Sequence, residues 1–544
     1  ITACVLSFVI WNGIRAVFRQ LPPMTILENN CMQSTASAAG YSTGATIGTA
    51  FGAYLLITGT HIGWQLTLAW TLLTALLGVL LAVPMKRQMI NREKLPFPSG
   101  IAAATTLKSL YGGSKEAVYQ AYALVIALVV GGLTGISRQA EWLWLKAANL
   151  KLPELIPFPI QHCGQNMSKF FNFGFEPSVL LMAAGMIVGM RVSVSMLLGS
   201  LILYFGFGPW LVESHIIASP TAILKWSLWA GTALMVTSGL TAFAVQWKTV
   251  MRALQGFKRG KADKTLAHLE EIEVPGKWFL LGAIPLTLMF ATLEYVAFSI
   301  AFPLGLFSVL MSFFLALVAC RSTGETDITP IGAMGKIAQL SFAVLSPANT
   351  TTNLMAASAT ANMAIGSADL LTDLKSGYLL GANARKQFLA QLSGVFFGAA
   401  AIVPAWYLMV PDKAALERFN PPSTNMYKAV AEALAHGIEY VPETARWGIL
   451  LGGLLGIILA LIDHFAPKAR RFTHSAMGLG LSWVMGFSNC FAFFTGAALA
   501  TGWTALNEKN AERYIIPVAS GAIAGESLAC ALIAIAAALG AIIK

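Results

Sequence analysis

Runs of eighteen or more mostly apolar residues recur along the chain: Trp64–Pro84, Val118–Leu145, Pro177–Leu203, Leu224–Trp247, Trp278–Ala319, Phe388–Val410, Ala445–Ile462 and Tyr514–Ile543. Each is long enough to cross the hydrocarbon core of a bilayer as a helix. The short alternating segments of a membrane-spanning sheet are missing from the sequence. The pattern predicts an all-α, polytopic integral membrane protein with about 15–16 transmembrane helices.

Some segments are too short or too broken to cross alone. Pro98–Tyr111, Pro330–Leu345 and the stretch from Pro347 each begin at proline and are rich in Gly, Ala, Ser and Thr. Irregular backbone at membrane depth survives only where protein or a water-filled cavity satisfies it, and paired interrupted helices point to a transporter's binding site. Broken or re-entrant helices are therefore expected here. A weak two-fold rhythm accompanies them. Asn-rich entries ("ENNCMQS", 28–34; "NTTTN", 349–353) precede basic turns at 86–94 and 375–386 and Pro-bearing loops at 146–176 and 411–442. The expected organisation is an N-terminal transmembrane half, 1–247, a basic cytoplasmic linker, 248–277, and a C-terminal transmembrane half, 278–544.

Composition agrees with this picture: 56% of the 544 residues are hydrophobic and only 11% charged, against about 25% charged in soluble domains. The net charge of +11 gathers in short Lys/Arg-rich loops, which normally face the cytoplasm. It reports topology, and no nucleic-acid partner is expected. The six cysteines and seven histidines are scattered, so no bound metal and no cofactor are expected. The chain opens inside an apolar helix without Met, and further sequence is expected to precede Ile1.

Candidate chemistry lies where polarity interrupts the apolar pattern. In "RSTGETDITPIGAMGKIAQL" (321–340), Glu325 and Asp327 can cap and gate a helix that starts at Pro330, while Lys336 and Gln339 fall inside it. A lysine at that depth costs several kcal/mol unless it faces protein or a cavity. The segment 91–113 repeats the grammar with Pro98, Ser99 and Lys108; Lys108 either snorkels to an interface or faces a cavity. Asn349 and Asn353 belong to a polar cluster suited to hydrogen-bonding a peptide-like solute or neighbouring helices, as do Asn29 and Gln33. Glu28, just before Asn29 and Asn30 at the start of a small-residue helix, and Glu294 and Glu526, isolated in apolar runs, have no evident reason for their positions. Each is a candidate proton carrier or the partner of a buried Lys or Arg.

Taken in order, "ILENNCMQSTASA" (26–38), "KLPFPSGIAAA" (94–104), "TGETDITPIGAMGKIAQL" (323–340), "ADLLTDLKSGYLLGANARKQF" (368–388) and "PVASGAIAGES" (517–527) resemble the oligopeptide transporter (OPT) family, its prokaryotic branch above all. That family includes the yellow-stripe-like metal-chelate carriers. The resemblance implies about 16 transmembrane helices and inward, proton-driven transport of a short peptide or a metal held by a peptide-like chelator.

The expected function is secondary active, proton-coupled import across the inner (cytoplasmic) membrane, with peptide and metal chelate both open as the solute. Solute-binding candidates are Asn29, Gln33, Ser99, Lys108, Lys336, Gln339, Asn349 and Asn353. Proton-coupling candidates are Glu28, Glu294 and Glu526, and gating candidates are Pro98, Glu325, Asp327 and Pro330. The expected partners are the small-molecule or peptide substrate, protons, membrane lipid and a second copy of the chain in a homodimer. A primary pump is disfavoured because the sequence holds no phosphate-binding G-x-x-x-x-G-K-[ST] loop. An intramembrane hydrolase lacks a G-x-S-x-G elbow, and a channel lacks repeated filter motifs.

Overall fold

A computed structural model describes residues 2–44, 47–112, 115–139, 151–162, 165–167, 171, 173–217, 223–245, 272–326, 329, 331–347, 349–419, 421–436, 443–466, 468 and 473–543. Nearly all of these are helical. The strands are two short antiparallel pairs, Ile156–Pro157 with Gly174–Phe175 and Gln161–His162 with Gln165–Asn166. Among the described residues, eight helices are long and apolar enough to span a bilayer. Shorter apolar helices accompany them at Leu6–Val17, Ile47–Thr58, Val179–Val188 and Met334–Leu345. The fold is that of an all-α polytopic membrane protein.

The chain forms two compact units, each assembled from separate stretches of sequence. The first takes Ile1–Ala117 and Phe243–Ala435, and the second Val118–Ala242 and His436–Lys544.

In the first unit the helices are α1 (Thr2–Val17), α2 (Ile26–Ser37), α3 (Trp64–Lys86), α4 (Pro98–Tyr111), α5 (Gly276–Phe298), α6 (Phe302–Thr326), α7 (Ile331–Leu345), α8 (Thr350–Leu380), α9 (Ala384–Met409) and α10 (Pro422–His436). Their ends follow local chemistry. Thr25 accepts from the Glu28 N–H while the Glu28 carboxylate accepts from the Thr25 N–H, a reciprocal cap that starts α2. The Asn349 side chain caps α8 by accepting from the Thr352 N–H, and α8 stops at Gly381, whose φ is +73°. Asn383 then caps α9.

Helix α8 is the axis of this unit, with α2, α3, α4, α6, α7 and α9 packed around it. Its contact with α3 is backbone to backbone. A Cβ on Gly78 would lie 2.9 Å from the Met363 carbonyl oxygen, and the Ser367 hydroxyl donates to the Gly78 carbonyl at 2.7 Å. Small residues give close approach where lipid offers no hydrophobic drive to association.

The second unit packs Val179–Val188 against Phe487–Leu506 and Glu508–Ile543, and Met190–Leu201 against Ala476–Ser482 and Phe487–Leu506. A separate aromatic cluster gathers Phe171, Phe173, Tyr204 and Phe487, with Phe173 and Phe487 stacked at 3.6 Å between ring centroids.

Candidate solute path

Helix α8 has 31 residues, about 46 Å at 1.5 Å per residue, and is buried over most of its length. Thr352, Asn353, Ser358, Thr360, Asn362, Ser367, Asp373 and Ser376 are all interior. A helix this polar and this buried has to be enclosed by protein. Its middle is held by Trp70, which donates to the Ser358 hydroxyl at 3.3 Å, by Asn362, which donates to Thr74 at 2.6 Å, and by the Ser312–Thr360 hydroxyl pair at 3.0 Å. The Asn362 carbonyl oxygen and the Thr71 hydroxyl, also buried, have no partner.

Near the start of α8, the structure brings together Lys336, Gln339 and Asn353. The Lys336 ammonium, only 2% exposed, donates to Gln339 Oε1 at 2.9 Å and sits 3.7 Å from the centroid of the Tyr427 ring. Asn353 donates to the Gln339 carbonyl at 2.5 Å, and Gln339 donates to the Tyr427 carbonyl at 3.4 Å. Among the described residues Lys336 has no carboxylate within ion-pair distance. A desolvated cation–π contact recovers about 2 kcal/mol, less than the several kcal/mol that burying an ion costs. The Asn353 Oδ1 atom beside it is also unpartnered. Tyr427 reaches the lysine because residue 335 is glycine: a Cβ there would collide with the phenol oxygen. Asn349 is committed to the helix cap.

Toward the other end of α8, a second polar cluster forms against α2 and α9. Ser37 donates to Asp369 Oδ1 at 2.5 Å, and Gln391 donates to Asp369 Oδ2 at 3.1 Å. Gln33 donates to Asp373 Oδ1 at 2.8 Å, and Asn30 donates to the Ser376 hydroxyl at 2.8 Å. Gln387 bridges the Asp373 carbonyl (2.9 Å) and the Ser34 hydroxyl (3.3 Å). On α1, the Cys4 thiol donates to Gln33 Oε1 at 3.0 Å, and its backbone carbonyl accepts from Asn29 at 3.1 Å. Asn29 and Gln33 thus belong to this cluster and lie apart from the lysine. Neither aspartate is among the candidates the sequence singles out, since they lie beside the basic turn 375–386 and inside the family-like stretch 368–388. Their spacing, four residues apart on a helix and therefore on one face, was the available signal.

The remaining candidates are dispersed. Pro98, Ser99 and Lys108 lie on the exposed side of α4. Pro98 follows a strained turn: Phe97 has φ +44°, is fully buried, and donates its N–H to the Gly324 carbonyl at 2.9 Å. Beside it Arg321 pairs with Glu93 at 2.7 Å, and Lys375 donates to the Leu95 carbonyl at 2.8 Å. The side chain of Glu325, and all of Asp327 and Pro330, lie outside the described residues. Glu28 is exposed in its cap, where the Thr25 N–H and hydroxyl hold its carboxyl below the usual carboxylate range. Glu294 is fully buried; Oε2 accepts from Ser308 at 3.1 Å and Oε1 has no partner. In the second unit Glu526 is held by three donors: Arg138 at 2.7 Å, Ser178 at 2.9 Å and the Leu180 N–H at 2.7 Å. Arg138 also binds Glu176 at 2.6 Å.

A polytopic helical protein built round a polar, protein-enclosed helix belongs to the class of membrane transport proteins. The family model for OPT oligopeptide transporter protein matches residues 1–537, and the chain belongs to that family. It is similar to a "Probable metal-nicotianamine transporter" of Oryza sativa subsp. japonica, 25% identical over 93% of this chain and 76% of the relative. A Haemophilus influenzae protein named "Putative oligopeptide transporter" is 24% identical over 94% of this chain and 87% of its own length. One of the same name from Saccharomyces cerevisiae is 23% identical over 85% and 79%.

Proposed function

We propose that this chain is a proton-coupled secondary transporter of the cytoplasmic membrane that imports short oligopeptides or peptide-like solutes. The observation that carries the reading is Lys336: a buried ammonium with an aromatic face, an amide and no carboxylate partner among the described residues. A solute carboxylate would supply the missing counter-charge, and Asn353 Oδ1 and Gln339 would hydrogen-bond its peptide groups. The short helix α7 carries the lysine to the wall of α8. The ion pair of Arg321 with Glu93 and the strained Phe97 turn form a candidate gate toward the other end of α8, next to Lys375.

A metal chelate is the second reading, favoured by the similarity to the rice "Probable metal-nicotianamine transporter". A chelator rich in carboxylates would meet Lys336 through the same chemistry.

The test is uptake into proteoliposomes under an inward proton gradient, with a mixture of di- to hexapeptides and ferric chelates offered and the lumen read by mass spectrometry. Peptide enrichment that collapses with a protonophore supports the first reading, and enrichment of a chelate alone supports the second. Enrichment of neither overturns both.

A further inference from the structure

We infer that Asp369 and Asp373, together with Gln33, Ser37 and Gln391, form a proton-binding site that takes up one proton between the two carboxyl groups. The inference deepens the transport reading above and rests on it only for the use to which the proton is put.

Three observations carry it. The two carboxylates sit four residues apart on α8, on one helical face and within reach of each other's charge. Neither forms an ion pair with any described residue. Their hydrogen-bond partners are neutral: the Ser37 hydroxyl and the Gln391 amide for Asp369, the Gln33 amide for Asp373. Asp373 is buried and Asp369 half-buried; two like charges placed there without a cation repel, and a proton on one removes the repulsion.

The atoms left over point the same way. Asp373 Oδ2, Asn29 Oδ1, Asn30 Oδ1 and Gln391 Oε1 are buried acceptors without a partner here, against one unpartnered donor nearby, the Tyr111 hydroxyl beside Asn29. The cluster is short of donors. A proton on Asp373 Oδ2 supplies one where the unmade hydrogen bonds are otherwise expensive.

A small cavity lies next to the cluster. It measures about 60 Å³ and is lined by Lys86, Leu374, Tyr378 and Gln387. That exceeds the ~10–15 Å³ that one water needs, so the cavity can hold water. Gln387 forms part of its wall and binds the Asp373 carbonyl.

The charged and titratable groups on the packed elements are engaged elsewhere or lie outside this contact set. Lys86 on α3 pairs with Glu273, and Lys375 on α8 donates to the Leu95 carbonyl. Arg321 on α6 pairs with Glu93, and Lys336 on α7 lies under Tyr427. Lys108 on α4 is exposed. On α9 Arg385 donates to the Glu273 carbonyl, and Lys386 stands at the same helix start. On α2 Glu28 is spent on its cap and Cys31 is half-buried, and the α1 thiol of Cys4 reaches the pair only through Gln33.

The test is infrared difference spectroscopy of the purified full chain, stepped in pH, reading the C=O stretch of protonated carboxyls. Asp369→Asn and Asp373→Asn are compared with Glu294→Gln. A titrating band lost in either aspartate variant and kept in Glu294→Gln is the expected result; a band unchanged in both aspartate variants overturns the inference. Ser37→Ala guards against misfolding. It deletes one donor to the carboxylate form, so the band should stay and its midpoint move to higher pH; an unmoved midpoint counts against the site. In proteoliposomes, Asp373→Asn should lose gradient-driven accumulation of the mixture of peptides and ferric chelates but keep solute exchange at equal pH. If the band behaves as expected while wild-type uptake ignores the proton gradient, the site stands and the coupled-transport reading falls.

Discussion

The Lys336 ammonium lies against the face of Tyr427, 3.7 Å from the ring centroid, inside a unit that offers it no carboxylate among the described residues. Lys336→Met should therefore abolish or sharply weaken solute uptake without lowering the thermal unfolding temperature, because removing an uncompensated buried charge costs the fold little. Uptake that survives in Lys336→Met would end the lysine's assignment. Tyr427→Leu should lower stability by about 1–2 kcal/mol through the lost cation–π contact, visible as a reduced melting temperature in detergent.

Glu28 makes an opposite prediction. Its carboxyl is held below the usual range by Thr25, so the cap is fully made at neutral pH. The stability it lends is present above the unfolded carboxylate value and is lost as pH falls through the lower folded value. Glu28→Gln should consequently leave the pH profile of uptake between neutral and mildly acidic conditions unchanged. A shifted profile would restore Glu28 as a proton carrier.

Glu526 is set in a network with Arg138, Ser178 and the start of Val179–Val188. Breaking a buried pair by removing one partner costs about 3–5 kcal/mol; Glu176 still holds Arg138, so Glu526→Gln should fall at the low end of that range. The measurement is thermal unfolding beside proton-gradient dependence. Lowered stability with unchanged coupling is expected, and normal stability with lost coupling would assign Glu526 to the proton instead.

Gly78→Ala should push α3 away from the Met363 carbonyl, which a Cβ would approach to 2.9 Å. The expected cost is about 1–3 kcal/mol from overpacking. Gly239→Ala, where a Cβ meets nothing within 4 Å, is the control and should melt like the wild type.

The lipid-facing part of the architecture was legible because hydropathy measures what lipid demands. Gly276–Phe298, Ala384–Met409 and Glu443–Phe465 all emerge from that pattern. Helix α8 does not, since protein rather than lipid surrounds it and its polar residues are free to carry the chemistry. Lys336 and Gln339 were readable together because a lysine inside an apolar segment has few alternatives, whereas Asn353, read with Asn349 as a separate polar cluster, joins them only in the fold. The partners were not: Glu526 meets Arg138 across 388 positions, and Gln33 meets Asp373 across 340. Nothing local in either segment encodes such a pairing. The Phe97 turn was hidden for a related reason, since only the Gly324 carbonyl opposite it explains a left-handed phenylalanine.

The polarity of α8 also bears on how the protein is made. It carries Asp369, Asp373, Lys375 and three asparagines within or at the start of one helix, and is absent from the eight helices apolar enough to cross a membrane. A nascent segment of this kind gains too little from lipid to leave the translocation channel on its own, with charged residues penalised by about 2.5–3.5 kcal/mol each at the bilayer centre. Its insertion has to wait for neighbours already in place, α2, α3 and α6 among those synthesised before it. The entry of the helix at the centre of the first unit into the membrane thus depends on the order of synthesis.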